Sequence, residues 1–149
     1  MKARTPTQKT SVPTEAQLKQ QWYLVDVKGK TLGQVAVKIA DLLRGKGKVF
    51  FTPQQDCGDF VVAINAKDIR LAGNKMETKM YRWHTQYPGG LREFSAKEVM
   101  TKKPDKILYD AVWGMLPRNK LRKKMMRKFH IFPTADHGHE AQSPKPINL

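Results

Sequence analysis

Three consecutive segments, an apolar run, a periodic run and a second apolar run, constrain the fold of this chain more than any other feature. Trp22-Tyr-Leu-Val-Asp-Val27 is rich in aromatic and β-branched residues and is closed by the Lys28-Gly29-Lys30 turn, which predicts a buried strand. Leu32, Val35, Ala36, Ile39, Leu42 and Leu43 then recur with helical period and stop at Gly45, the usual residue just past a helix end. Thr31 stands three residues before Gln34, the spacing of a capping box. Phe60-Val-Val-Ala-Ile-Asn65 reads as a second buried strand. A strand, a helix and another apolar strand imply a right-handed crossover between parallel neighbours. The fold class expected is therefore α/β, with a mainly parallel sheet.

The rest of the chain extends this core. Ile69-Arg-Leu-Ala72 is a candidate third strand, shorter than the others, and Gly73-Asn74 marks a turn. Lys79-Met-Tyr-Arg-Trp-His84 alternates aromatic and basic residues, and His84 to Gly90 reads as a loop by its Pro-Gly-Gly punctuation. Ser95 and Glu98 have capping-box spacing and open a short helix. Pro104 suits a first helical position, and Ile107, Leu108, Ala111, Val112 and Met115 give the following helix an apolar face. Phe129-His-Ile-Phe132 is a candidate last strand, followed by a polar tail. The expected organisation is a flexible basic arm over residues 1–21, an α/β core over 22–133 and an extended tail over 134–149. At 149 residues the chain suffices for one domain, burying roughly two-thirds of its unfolded surface.

Function is written most plainly between Arg118 and His130. This stretch carries Arg118, Lys120, Arg122, Lys123, Lys124, Arg127 and Lys128 and no acidic residue. Leu121, Met125 and Phe129 fall at i, i+4 and i+8, so a helix here has one apolar stripe and is basic on nearly every other side. Solvated faces ordinarily mix both signs of charge to limit self-repulsion. An unmixed run points to a phosphate backbone.

Composition agrees. Lys and Arg number 28 against 13 Asp and Glu, a net charge of +15, which repels itself unless something negative is bound. Nucleic acid is the first candidate and an acidic membrane surface the second. No apolar run approaches the length of about 18 residues needed to cross a bilayer. Nothing at the start reads as a secretory signal, and Pro6 and Pro13 interrupt the amphipathic helix of a mitochondrial transit peptide. The single cysteine, Cys57, rules out an internal disulfide framework and agrees with a reducing compartment.

Other motifs yield to plainer readings. Gly29-Lys30-Thr31 between strand and helix resembles part of a phosphate-binding loop, but that motif needs a glycine where this chain has Leu24. A βα turn with a Thr31-capped helix explains the residues. Cys57 lies between Asp56 and Asp59, the opposite of the electropositive setting a nucleophilic thiolate needs. Asp59 is expected to brace a turn and Gly58 to supply a positive φ. Asp136-His137-Gly138-His139-Glu140 lacks the i, i+4 histidine spacing of a helix-borne zinc site, and no metal or cofactor is assigned. Tyr81, Arg82, Trp83, His84 and Tyr87 interleave rings with cations, a pattern suited to stacking on bases beside phosphate contacts. Alternate residues there can also supply the core face of a strand.

Several blocks together resemble the universal L-thirteen family of large-subunit ribosomal proteins, from Trp22 onward. They are G-K-T-L-G-Q-V-A with L-L-R-G-K-G-K, F-T-P-Q-Q-D-C-G-D-F-V-V-A-I-N-A, A-G-N-K, H-T-Q-Y-P-G-G, G-M-L-P-R-N-K-L and H-G-H-E-A-Q-S-P. The resemblance implies a three-layer α/β/α core around a four-stranded parallel sheet. It also implies a structural, non-enzymatic place on the large ribosomal subunit, bound to its rRNA early in assembly. Four positions depart from the family pattern: Gln34 where Arg is usual, Gln54 where His is common, Gln86 where Gly is common, and Arg122 where bacterial members commonly have Gly. Some wording, D-C-G-D and M-M-R-K-F-H-I-F-P, is similar to mitochondrial members, and the tail is similar to bacterial ones. The location expected is the ribosome of a bacterial cytoplasm, with a mitochondrial ribosome as the alternative.

The residues expected to meet rRNA are Arg44, Lys46, Lys48, Lys75, Lys79, Arg82, His84, Arg92, Arg118, Lys120, Arg122, Lys123, Lys124, Arg127 and Lys128. Neighbouring large-subunit proteins are the other expected partners, with no membrane and no small-molecule substrate. Affinity would come from phosphate neutralisation, and specificity from RNA shape, because an A-form major groove is too narrow to read.

Overall fold

A computed structural model describes residues 12–14 and 17–147. Most of the expected N-terminal arm lies outside the described residues, as do the last two residues of the tail.

The strand-helix-strand unit forms as its pattern requires. Strand β1 (Trp22–Asp26) leads into helix α1 (Leu32–Arg44), and β2 (Phe60–Ile64) returns parallel to β1, with Trp22 opposite Phe60 and Asp26 opposite Ile64. Val35, Ala36, Ile39 and Leu43 recur along one face of α1 and are buried against Val25, Val61 and Ala63 of the sheet. Gly45 ends α1 in the left-handed conformation, its N–H donating to the carbonyls of Asp41 and Leu42. The chain then loops back so closely that a Cβ on Gly58 would lie 1.7 Å from the Leu43 carbonyl oxygen. Gly58 is needed for that approach and not for the positive φ expected of it.

Beyond β2 the chain forms α2 (Lys75–Thr78), the strands β3 (Met80–His84) and β4 (Leu91–Ser95), and the helices α3 (Ala96–Lys102), α4 (Pro104–Met115) and α5 (Leu121–Met126). It closes with β5 (Phe129–Ile131) and β6 (Lys145–Ile147). The main sheet runs β5-β2-β1-β6 with every neighbouring pair parallel, giving the expected α/β fold and four-stranded sheet. β3 and β4 pair antiparallel in a separate two-stranded sheet. Ile107, Leu108 and Val112 of α4 and Met125 of α5 complete the core that α1 shares with the sheet. On the other face Trp22 stacks on Phe60 at 4.4 Å and lies near His130 and His139, so the segment between β5 and β6 folds back over the sheet.

Several local expectations are corrected. Ile69 to Ala72 is not a strand: only Arg70 bridges to Thr31, because the partner segment enters α1 at once and leaves no length for a ladder. Thr31 makes no side-chain cap; its backbone is extended in that bridge, while Ser95 does cap α3 by accepting from the Glu98 N–H. The basic helix covers only Leu121–Met126, since Phe129 is drawn into the sheet opposite Val61. Two strands escape the sequence pattern. β4 follows the Pro-Gly-Gly turn, and β6 sits in the apparent tail, where Pro146 has no N–H to offer a further strand and occupies a sheet edge.

Candidate nucleic-acid interface

The cations around α5 separate into two groups. Arg118, Lys120, Lys123, Lys124 and Arg127 are exposed, and none of them has an ion-pair partner among the described residues. Lys120, Lys123 and Lys124 stand at i, i+3 and i+4, so they share one face of the short helix. Arg122 is half-buried: its guanidinium lies 4.7 Å from the Trp113 ring centroid and its Nε donates to the Pro117 carbonyl at 3.1 Å. Lys128, expected among the RNA contacts, is only 5% exposed. Its ammonium donates to Asp56 Oδ1 at 2.5 Å and to the Gly58 carbonyl at 2.8 Å, so it is spent inside the protein.

A second group surrounds the C-terminus of α1. Arg44 lies over the Phe51 ring at 5.2 Å, and exposed Lys46 is 4.0 Å from Asp41. Lys48 donates to Asp59 Oδ1 at 2.6 Å and to the Lys19 carbonyl at 3.2 Å. Asp59, 3% exposed, also accepts from the Gln21 N–H and thereby braces the loop, as expected of it. Lys48 is thus a fastening of the loop before it is a surface charge. Lys124 lines one groove with Gln54, Gln55 and Asp56, so the α1 loop and α5 adjoin. The loop tip is apolar and open, with Val49 95% and Phe50 53% exposed.

The third group lies on α2 and the β3–β4 hairpin. Lys75, Lys79, Arg82, His84 and Arg92 are all exposed. Arg82 pairs with Glu93 across the hairpin, Lys79 lies 5.2 Å from the Tyr81 ring, and His84 Nδ1 accepts from the Gln86 N–H. Gln86 adopts φ +67°, the left-handed conformation that glycine takes without penalty. Tyr81 turns inward: burial pushes its hydroxyl pKa up, and the nearby Asp110 carboxylate adds to this. Burial likewise raises Asp110, against the pull of Lys106 and Lys79. Trp83 shares the Tyr81 face of the strand yet stays 43% exposed. Lys102 and Lys106, absent from the sequence expectation, stand over the Phe94 and Trp83 rings. Their only prior signal was a position beside the Lys103-Pro104 break between two helices.

The remaining motifs fall away from this surface. Cys57 is fully buried, its thiol near the Phe50 and Thr52 carbonyls. His139 packs in the ring cluster of Trp22, His130 and Phe132. Among the described residues no group of three or more His, Cys, Asp or Glu is placed to hold a metal ion. No helix among them is long and apolar enough to cross a membrane.

Comparison with known proteins gives a consistent result. The family model described as ribosomal protein L13 matches residues 20–138. A large ribosomal subunit protein uL13 from Clostridioides difficile is 50% identical over 141 residues, covering 95% of this chain and 99% of the relative. The protein of the same name from Syntrophotalea carbinolica is 47% identical over 94% of this chain and 99% of its own length. That from Mycoplasma pneumoniae is 47% identical over 95% and 98%.

Proposed function

The chain belongs to the ribosomal protein L13 family, a family of structural constituents of the large ribosomal subunit, and from that premise we propose that its exposed cations bind large-subunit rRNA early in assembly. The relatives are bacterial, and the protein's place is the ribosome of the bacterial cytoplasm. One observation carries the rRNA reading: Arg118, Lys120, Lys123, Lys124 and Arg127 are exposed together, and among the described residues no carboxylate pairs with them. Counter-ions released from RNA by such side chains drive association, and affinity falls steeply with salt. Arg44, Lys46, Lys75, Lys79, Arg82, His84 and Arg92 extend the contact to further RNA segments. Arg122, Lys48 and Lys128 support it from within, by holding α5 and the α1 loop in place. Bridging RNA segments before other proteins arrive would fix their relative positions, which is the service an early-binding protein supplies. Neighbouring large-subunit proteins are the natural partners for surfaces that RNA leaves open.

The test is sedimentation of a tagged chain with large subunits in high salt, coupled to pulse-labelling of precursor particles. Co-sedimentation with the large subunit and presence in the earliest precursors are expected. Appearance only in mature subunits would remove the timing, and failure to bind protein-free large-subunit rRNA would remove the direct contact.

A further inference from the structure

The concave surface between the β3–β4 hairpin and the α3–α4 helices combines aromatic faces and cations in a way no phosphate contact alone requires. Trp83 and Phe94 lie on one face of the hairpin, diagonal to each other across the strands with the Arg82–Glu93 pair between theirs, and their rings stack at 5.0 Å and 11°. They line a cavity of about 280 Å³ with Val99, Lys102, Lys103 and Lys106. The Lys106 ammonium lies 4.8 Å from the Trp83 centroid and that of Lys102 4.9 Å from the Phe94 centroid. Among the described residues none of the three lysines has an ion-pair partner.

This geometry points to a receptacle for one unpaired nucleotide of RNA, its base stacked on the Trp83–Phe94 pair and its phosphates held by Lys102, Lys103 and Lys106. A half-exposed indole beside a hydrophobic floor favours a planar apolar guest. Three ammonium groups at the rim repel cationic guests, and a purely apolar peptide would desolvate them without return. A nucleotide supplies both the π-face and the negative charge. Ammonium groups resting on exposed rings are weakly held, so they exchange readily to a phosphate oxygen as the base enters. In a duplex the base faces are already stacked on one another, which restricts the site to unpaired positions. The inference rests on the rRNA-binding reading and adds the kind of RNA element that this surface takes.

The test uses the full chain, a short mixed-sequence single-stranded RNA carrying 2-aminopurine, the blunt duplex of the same sequence, and free adenosine monophosphate. Trp83→Ala should weaken single-strand binding roughly tenfold, the loss of one base-aromatic stack, and abolish the 2-aminopurine quench. Binding to the duplex should not change, and Trp83→Phe should retain most of the single-strand affinity. Circular dichroism checks folding, and Trp83→Phe keeps the stack testable if Trp83→Ala unfolds. Equal loss on both RNAs, or none on the single strand, would overturn the receptacle while leaving RNA binding standing. Free nucleotide bound as tightly as RNA would overturn RNA as the source. A wild-type chain that binds neither RNA would overturn this inference and the rRNA reading together.

Discussion

Lys128 Nζ and Asp56 Oδ1, 72 positions apart in sequence, meet at 2.5 Å where the end of α5 touches the loop behind α1. The Lys128 side chain is 7% exposed and that of Asp56 19%. Removing one member of a buried pair leaves the other charge without compensation. Lys128→Ala should therefore cost about 2–4 kcal/mol, somewhat below the usual range because Asp56 keeps some water. Lys123→Ala, at an exposed position, should stay within about 0.5 kcal/mol. Urea titrations of the two variants check the contrast, and a harmless Lys128→Ala would return this lysine to the surface group.

Thr31 and Ser95 make a second contrast. Both have capping-box spacing, but only Ser95 accepts a helix N–H. Ser95→Ala should lose about 1 kcal/mol of stability, and Thr31→Ala should lose less than about 0.5 kcal/mol. Similar losses from the two in thermal melts would show that Thr31 also caps.

These pairs show what the sequence could and could not disclose. Helical period located α1 because Val35, Ala36, Ile39 and Leu43 face a single core, and β1 and β2 were legible because both are continuous apolar runs. β6 was not legible, since Lys145-Pro-Ile147 acquires strand character only from Tyr23 to Val25 beside it. β4 was not legible either, because its apolar residues Leu91 and Phe94 stand three apart and break the alternation of a half-buried strand, leaving only the Pro88-Gly-Gly90 turn before it and the Ser95 cap after it. At the interface the density of positive charge was legible, but its division was not. Lys128 and Lys124 look alike in sequence, and only the return of Asp56 to the end of α5 separates an internal brace from an exposed cation.

Gln86 carries φ +67° on an exposed loop. A non-glycine residue there is strained, and glycine removes the strain at the cost of extra freedom in the unfolded chain. Gln86→Gly should raise stability by about 0.5–1 kcal/mol. A fall in melting temperature would mean that the loop depends on the glutamine side chain.

Burial lowers the pKa of His130, and His139 beside it acts in the same direction. The unfolded chain thus takes up protons more readily than the folded one, and stability is full above the ordinary value of 6.5 and declines as pH falls through and below it. Melting temperature should drop between about pH 7.5 and about pH 5.5, and His130→Gln should flatten that drop. A profile in which His130→Gln melts with unchanged pH dependence would assign the effect elsewhere.

Neutralisation of rRNA phosphates by the exposed cations at α5 and its N-cap is the contact we propose for this protein. Its most direct measurement is the salt dependence of binding to a large-subunit rRNA fragment, by filter titration, for the wild type and for Lys120→Ala, Lys123→Ala and Lys124→Ala combined. If each lysine displaces one counter-ion, the slope of log affinity against log salt flattens by roughly 2–3 units, at about 0.7–0.9 per phosphate. An unchanged slope in a triple variant that circular dichroism shows to be folded would mean that this face of the helix meets water, and would contradict the account.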